Sequence, residues 1–265
     1  LSMPLGRFIA VSMLAAAGWA VAYLLPGWAA GAAFRLPLPD GFWPQAAVVA
    51  GGLALLLVLT IQSSLREQRQ ASLIAAGLGT ILLVALFIGW PHLIQLDQGL
   101  MTLIQEGRNP RFDHVAVMVT HFGDFDVQLA VAALLCILLL LTRKWQALLF
   151  AGGAMLSTAL ANGMLKNLFE RARPDVLLEP LHTYSFPSGH SSAAFAFFLT
   201  VAILAGRGQP ARLRLTWILL ACLPALFIAL SRVYLGVHWP SDIIAGALLA
   251  SSLCALSLAL MQRYA

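Results

Sequence analysis

Long stretches of this chain carry hardly a polar position. Apolar residues run on at roughly 8–25, 43–62, 72–93, 126–142, 146–166, 188–206, 215–232 and 240–261, with polar breaks between them. Most of these runs approach the about 20 residues a helix needs to cross a bilayer, so they predict eight membrane spans. The weak in–out alternation of a membrane barrel is missing from them. In hydrocarbon only helices and closed barrels satisfy every backbone N–H and C=O. The expected fold class is all-α, a polytopic membrane helix bundle. The first run follows Arg7 and looks like a signal peptide. More apolar runs follow it, with no polar mature region, so it reads as a span.

Composition strengthens this picture. Of 265 residues, 60% are hydrophobic and 10% charged, whereas a soluble domain is roughly a quarter charged. A water-soluble globule of this length would lack the polar residues to cover itself. The net charge of +5 is not gathered into one basic block, so it gives no argument for nucleic acid. Cys136, Cys222 and Cys254 all lie inside apolar runs with no C-x-x-C spacing, and read as small packing residues.

Alternating the spans from the N-terminus gives two unlike faces. One carries nine of the 16 basic residues and a single acid, Glu67; the other carries seven basic residues and ten of the 11 acids. The Lys/Arg excess marks the cytoplasmic face, which turns the acid-bearing face outward. Its loops are the longer ones. Residues 94–125 contain two short amphipathic pieces (Leu96, Leu100, Leu103, Ile104; then Phe112, Val115, Val119, Phe122) expected to lie along a membrane surface. Residues 167–187 are polar.

Ionisable groups at the mouths of spans are costly and usually functional. Three clusters fall on the outward face. They are Lys166 with Arg173-Pro174; Pro187-Ser188-Gly189-His190, opening the sixth run; and Ser231-Arg232 with His238 and Asp242, bridging the last two runs. Each has an ordinary reading by itself. Lys166 and Arg173 could snorkel to the interface; Pro-Ser-Gly-His could merely start a helix; His238 with Asp242 could be a capped loop. Together on one face, they describe an anion site. Lys166, Arg173 and Arg232 supply three cations, two of them planar forks suited to phosphate oxygens. The start of the sixth span offers backbone N–H groups of Ser188, Gly189 and His190, with the helix dipole behind them. With Pro240 starting the last helix, Asp242 falls in its first turn and can reach back to His238, fixing its tautomer. His190 is then free to act as a general acid. His121 with Asp124 reads as a headgroup-level pair outside the catalytic set, and His92, His114 and His182 as interfacial. Arg108 and Arg111 read as facing water or a headgroup.

The three clusters spell K-x6-R-P, P-S-G-H and S-R-x5-H-x3-D, with no departure at any signature position. This pattern resembles the type 2 phosphatidic acid phosphatase (PAP2) superfamily, in its membrane lipid phosphatase branch. The resemblance covers roughly residues 71–262, whose six runs look like the six-helix core of that branch. It implies that His238 attacks phosphorus to form a phosphohistidine, that Asp242 orients His238, and that His190 protonates the leaving oxygen and then activates water. It implies that Lys166, Arg173, Ser188, Gly189 and Arg232 hold the phosphate oxygens, with no metal and no cofactor. Residues 1–70 read as two extra transmembrane helices ahead of a core at 71–265. Within them, residues 7–31 resemble the tail of a DedA-type domain, as in fusions that place such a domain upstream of a phosphatase core.

The expected activity is therefore metal-independent hydrolysis of a lipid phosphate at the outer leaflet of a bacterial inner membrane. A polyprenyl (undecaprenyl) diphosphate is the first candidate substrate. Phosphatidylglycerol phosphate and phosphatidic acid are alternatives, as is transfer of the phosphoryl group to lipid A. From another class stands a lipid transport subunit.

Overall fold

The computed structural model describes residues 42–66, 68–174 and 183–263, together with Met13. Apart from Met13, the first apolar run, and with it the DedA-like stretch, lies outside the described residues. The chain forms two compact units, Leu1–Pro39 and Asp40–Ala265.

The second unit is built of helices, and no strand occurs among the described residues. In chain order they are α1 (Phe42–Arg66), α2 (Arg69–Gly89), a 3-10 turn (Trp90–Leu93), α3 (Ile94–Glu106), α4 (Pro110–His121) and α5 (Phe125–Leu141). Then come α6 (Trp145–Phe169), α7 (Gly189–Gly206), α8 (Ala211–Tyr234) and α9 (Pro240–Met261). Among the described residues, five stretches are long and apolar enough to cross a membrane: Arg69–Glu106 and the helices α6 to α9. A sixth appears if α4 and α5, bent by 44° at residues 122–124, form one span. α1 packs on α2, α3 and α8, within the same compact unit as the later helices.

Hydrophobic attraction does not drive helices together in lipid, so close packing must, and small residues allow it. α7 is the hub, lying against α6, α8 and α9. Against it pack Ala154 on α6, Ala225 on α8 and Ala250 on α9, all essentially inaccessible. Where α9 crosses α7 there is room for no side chain at Gly246. A Cβ there would stand 2.8 Å from the Ser188 carbonyl oxygen and 3.0 Å from Ser191 Cβ.

The segment 94–125 differs from its expectation. It is two helices, and the first points part of its amphipathic face into protein. α3 buries Leu96, Asp97, Gly99 and Met101, and Met101 packs with Ala229, Val233 and Ile243. α4 packs on α8 and buries Ala116 and Thr120, while Phe112, Val115 and Phe122 stay exposed. Periodicity tells which face is apolar; it does not tell whether lipid or protein covers it.

Candidate active site

The polar side chains gather where α6 and α8 end and α7 and α9 begin. Glu170, in the left-handed region at φ 45°, caps α6 and turns the chain back over the bundle. The returning segment is tied to residues 183–185. Ser185 N–H donates to the Arg171 carbonyl at 2.8 Å, and Ser185 Oγ to the Ala172 carbonyl at 3.0 Å. The starts of α7 and α9 are joined directly, with Ser188 N–H donating to the Asp242 carbonyl at 3.0 Å and Ser191 Oγ to the Ile243 carbonyl at 2.7 Å.

His238 sits in the loop before α9 and is 2% exposed. Its Nε2 lies 3.3 Å from Arg173 Nη1 and its Nδ1 lies 3.4 Å from Asp242 Oδ2. A guanidinium only donates and a carboxylate only accepts. The ring therefore carries its proton on Nδ1 and turns a bare lone pair at Nε2 toward the cations. Burial holds the His238 pKa well below the usual histidine value, and the positive charges of Arg173, Lys166 and Arg232 add to this, with His190 contributing as well. The imidazole is neutral at pH 7, as a nucleophile requires.

Asp242 serves two purposes. Its Oδ2 accepts from the Trp239 backbone N–H at 2.9 Å, capping α9, and the same oxygen faces His238. Its Oδ1 accepts from Arg171 Nη1 at 2.7 Å. Arg171 is buried and bridges two carboxylates, for its Nη2 also donates to Asp97 Oδ2 at 2.6 Å. The rings of Trp90 and Trp239 lie 4.8 and 5.5 Å from the guanidinium carbon. Asp97 closes the network by accepting from Ser241 N–H at 2.8 Å. Sequence reading missed both Arg171 and Asp97. A carboxylate among the apolar residues of α3 was the available signal, because such a group must find a buried partner.

Of the expected phosphate ligands, Arg173 is held by Thr183 and by the Val237 carbonyl, the latter at 2.6 Å. Lys166 Nζ donates to the Tyr184 carbonyl at 2.6 Å. Arg232 donates from Nη1 to Thr120 Oγ1 at 2.7 Å, while its buried Nε–H finds no acceptor among the described residues. An anion would provide one. One detail is corrected. The Ser188 backbone N–H, expected to be free, is taken by the Asp242 carbonyl, and Ser188 Oγ caps Ser191 N–H at 3.4 Å. Among the described residues, the N–H groups at the α7 terminus left without an acceptor are those of Gly189 and His190.

His190 Nε2 meets Asp124 Oδ1 at 2.9 Å, and the other oxygen of Asp124 meets His121 Nδ1 at 2.8 Å. The pair expected to stand apart from the catalytic residues thus touches one of them. From His190, Gly189 and Asn162 a groove of about 480 Å³ runs between α5, α6 and α7, past Met155 and Phe197 to Cys136. Cys136 lies roughly 16 Å along α5 from Phe125. The groove walls are chiefly apolar, with polar groups clustered at the histidine end.

Residues 147–265 match the family model of the PAP2 superfamily. Over 148 residues the chain is 32% identical to decaprenylphosphoryl-5-phosphoribose phosphatase of Mycobacterium tuberculosis, covering 52% of this chain and 74% of that protein. It is 40% identical over 90 residues to undecaprenyl-diphosphatase of Sulfolobus acidocaldarius, covering 34% of this chain; there the match spans only 40% of the relative's length. The fold matches the crystal structure of a transmembrane PAP2-type phosphatidylglycerolphosphate phosphatase from Bacillus subtilis, with a TM-score of 0.60 at 26% identity. That match covers 68% of this chain and 93% of that one.

Proposed function

This chain belongs to the PAP2 superfamily, and from that membership we propose that it is an integral membrane phosphatase acting on a lipid phosphate, with a polyprenyl diphosphate as leading substrate. The observation that carries the reading is the setting of His238. It is a buried, neutral imidazole whose unprotonated Nε2 accepts from Arg173 Nη1 at 3.3 Å, within the field of Lys166, Arg232 and His190. Cations that would repel a protonated ring draw a phosphate dianion to the same spot.

The mechanism follows from the groups present. Lys166, Arg173 and Arg232, the N–H groups of Gly189 and His190, and the Ser188 hydroxyl hold the phosphate oxygens. Because these donors are fixed in advance, they stabilise charge as it develops on the equatorial oxygens of a five-coordinate phosphorus. His238 Nε2 attacks phosphorus. The P–N bond forms as the P–O bond to the leaving group breaks, and His190 gives that oxygen a proton. The proton on His238 Nδ1 stays against Asp242, whose carboxylate balances the positive ring. In the second half His190 takes a proton from water while the water oxygen attacks phosphorus. Inorganic phosphate leaves and Nε2 is bare again.

The groove beside His190 supports a lipid substrate, since an apolar chain lying in it places its phosphate at the His190 end, beside the start of α7. The charge asymmetry of the loops supports an outward-facing site in a bacterial inner membrane. Phosphate release from purified protein with undecaprenyl diphosphate, phosphatidylglycerol phosphate and phosphatidic acid tests the reading. His238→Ala should lose at least about 1,000-fold in kcat, and wild type should carry an acid-labile phosphoryl label on His238. Full turnover in His238→Ala would overturn it. Label that arrives on a lipid A acceptor in place of water would make the protein a transferase.

A further inference from the structure

We infer that Asp124 is a positioning residue for His190, holding the Nε2–H so that Nδ1 is the nitrogen that trades protons at the phosphate, and that His121 holds Asp124 in turn. The inference rests on the phosphatase reading above.

Three observations carry it. The first is the line of contacts, His121 Nδ1 to Asp124 at 2.8 Å and Asp124 to His190 Nε2 at 2.9 Å. A carboxylate has no proton to give, so both imidazole nitrogens facing it must carry one. That leaves Nδ1 of His190 for chemistry. The second is what Asp124 does not do. It stands at the N-cap of α5, a position where aspartate ordinarily accepts from the helix's own N–H groups, yet it makes no side-chain cap bond. Both of its oxygens go to histidines. The third is the seat of the turn at residues 122–124. A Cβ on Gly123 would stand 2.7 Å from His190 Cδ2 and 2.6 Å from Ile228 Cγ2, so only glycine lets the turn close on the ring.

The site thus holds two carboxylate–imidazole pairs, and they differ in exposure. Asp242 and His238 are sealed at 0% and 2%, which suits a nucleophile that keeps its Nδ1 proton. The side chains of Asp124 and His190 are 42% and 21% exposed, which suits a ring that must exchange a proton with water in every cycle. In the first half-reaction the Nδ1 proton moves to the leaving oxygen as the P–O bond breaks and the His238 P–N bond forms. In the second a water proton moves to Nδ1 as the water oxygen bonds to phosphorus and the P–N bond breaks. Asp124 stays ionised throughout, offsetting the charge of Arg232 and Arg173 beside the ring.

Single-turnover phosphoenzyme formation, measured on the full chain in detergent with a long-chain alkyl phosphate and with p-nitrophenyl phosphate, tests this. Asp124→Asn should slow the alkyl reaction by about 10- to 100-fold, at least five times more than the nitrophenyl reaction, whose leaving group needs no acid. The alkaline limb of the alkyl pH profile should move to lower pH, because the imidazolium has lost its counter-charge. Asp124→Glu should bring the limb back, and Asp124→Asn should cost nothing further in a His190→Ala background. Equal slowing of both substrates, an unmoved limb, or an additive double variant would each overturn the assignment. If Asp124→Asn does not fold, His121→Gln decides, since a limb that stays at the wild-type position in that surface variant is equally fatal. Failure of the phosphatase reading itself looks different, with no phosphate from either substrate in wild type or undiminished turnover in His238→Ala, and the inference falls with it.

Discussion

At position 238 the chain buries an imidazole among cations and keeps it neutral, and that choice has a cost at low pH. In the unfolded chain the ring takes up a proton near pH 6.5; in the folded protein it does so only well below that. Between the two values the unfolded state binds more protons, so stability falls as pH falls, by at most about 1.4 kcal/mol for each unit of pH. The thermal midpoint in detergent should drop from pH 7 to pH 5, and more steeply in wild type than in His238→Asn. Equal slopes would mean that His238 titrates normally. The pairing of His238 with Asp242 could be read from sequence, because Pro240 starts a helix and places Asp242 in its first turn. Arg171, Asp97 and Asp124 could not be assigned that way. Asp97 lies 74 residues from Arg171, and Asp124 lies 66 residues from His190. No periodicity links such pairs; only the bundle brings them together.

Among the helices, the crossing of α7 and α9 sets the geometry of the site, since one carries His190 and the other Asp242. Two hydrogen bonds join their first turns, and Gly246 lets the backbones meet just below. The substitution Gly246→Ala forces a methyl against the Ser188 carbonyl and should destabilise the protein by about 1–3 kcal/mol. Because the displaced atoms belong to the turn proposed to hold the phosphate, phosphatase activity should fall more than tenfold in the fraction that remains folded. Activity per folded molecule at the wild-type level would show that the crossing bears no relation to catalysis. The helices themselves were plain from the apolar runs, and α6 to α9 lie close to the stretches the sequence marks. The role of α3 was not, because Leu96 and Met101 have the same apolar face whether lipid or Ala229 covers it.

For the molecule as a whole, the polar cluster and the loop at residues 142–144 belong to opposite ends of α6, which the charge count assigns to opposite sides of the membrane. With the native cysteines replaced, Glu106→Cys should react with a membrane-impermeant maleimide in intact spheroplasts, and Arg143→Cys should react only after lysis. The reverse pattern would turn the site toward the cytoplasm.

The clamp around Arg171 has a consequence for how much of the chain makes a working enzyme. Residues 147–265, the stretch that matches the family, hold every signature residue. Yet the carboxylate that steadies Arg171, the hydroxyl that steadies Arg232 and the acid that steadies His190 come from Asp97, Thr120 and Asp124, all upstream of it. A gene fragment encoding only the signature half would specify the reactive groups without their supports. Grafting this chemistry onto another scaffold means moving α3 and the α4–α5 turn along with it.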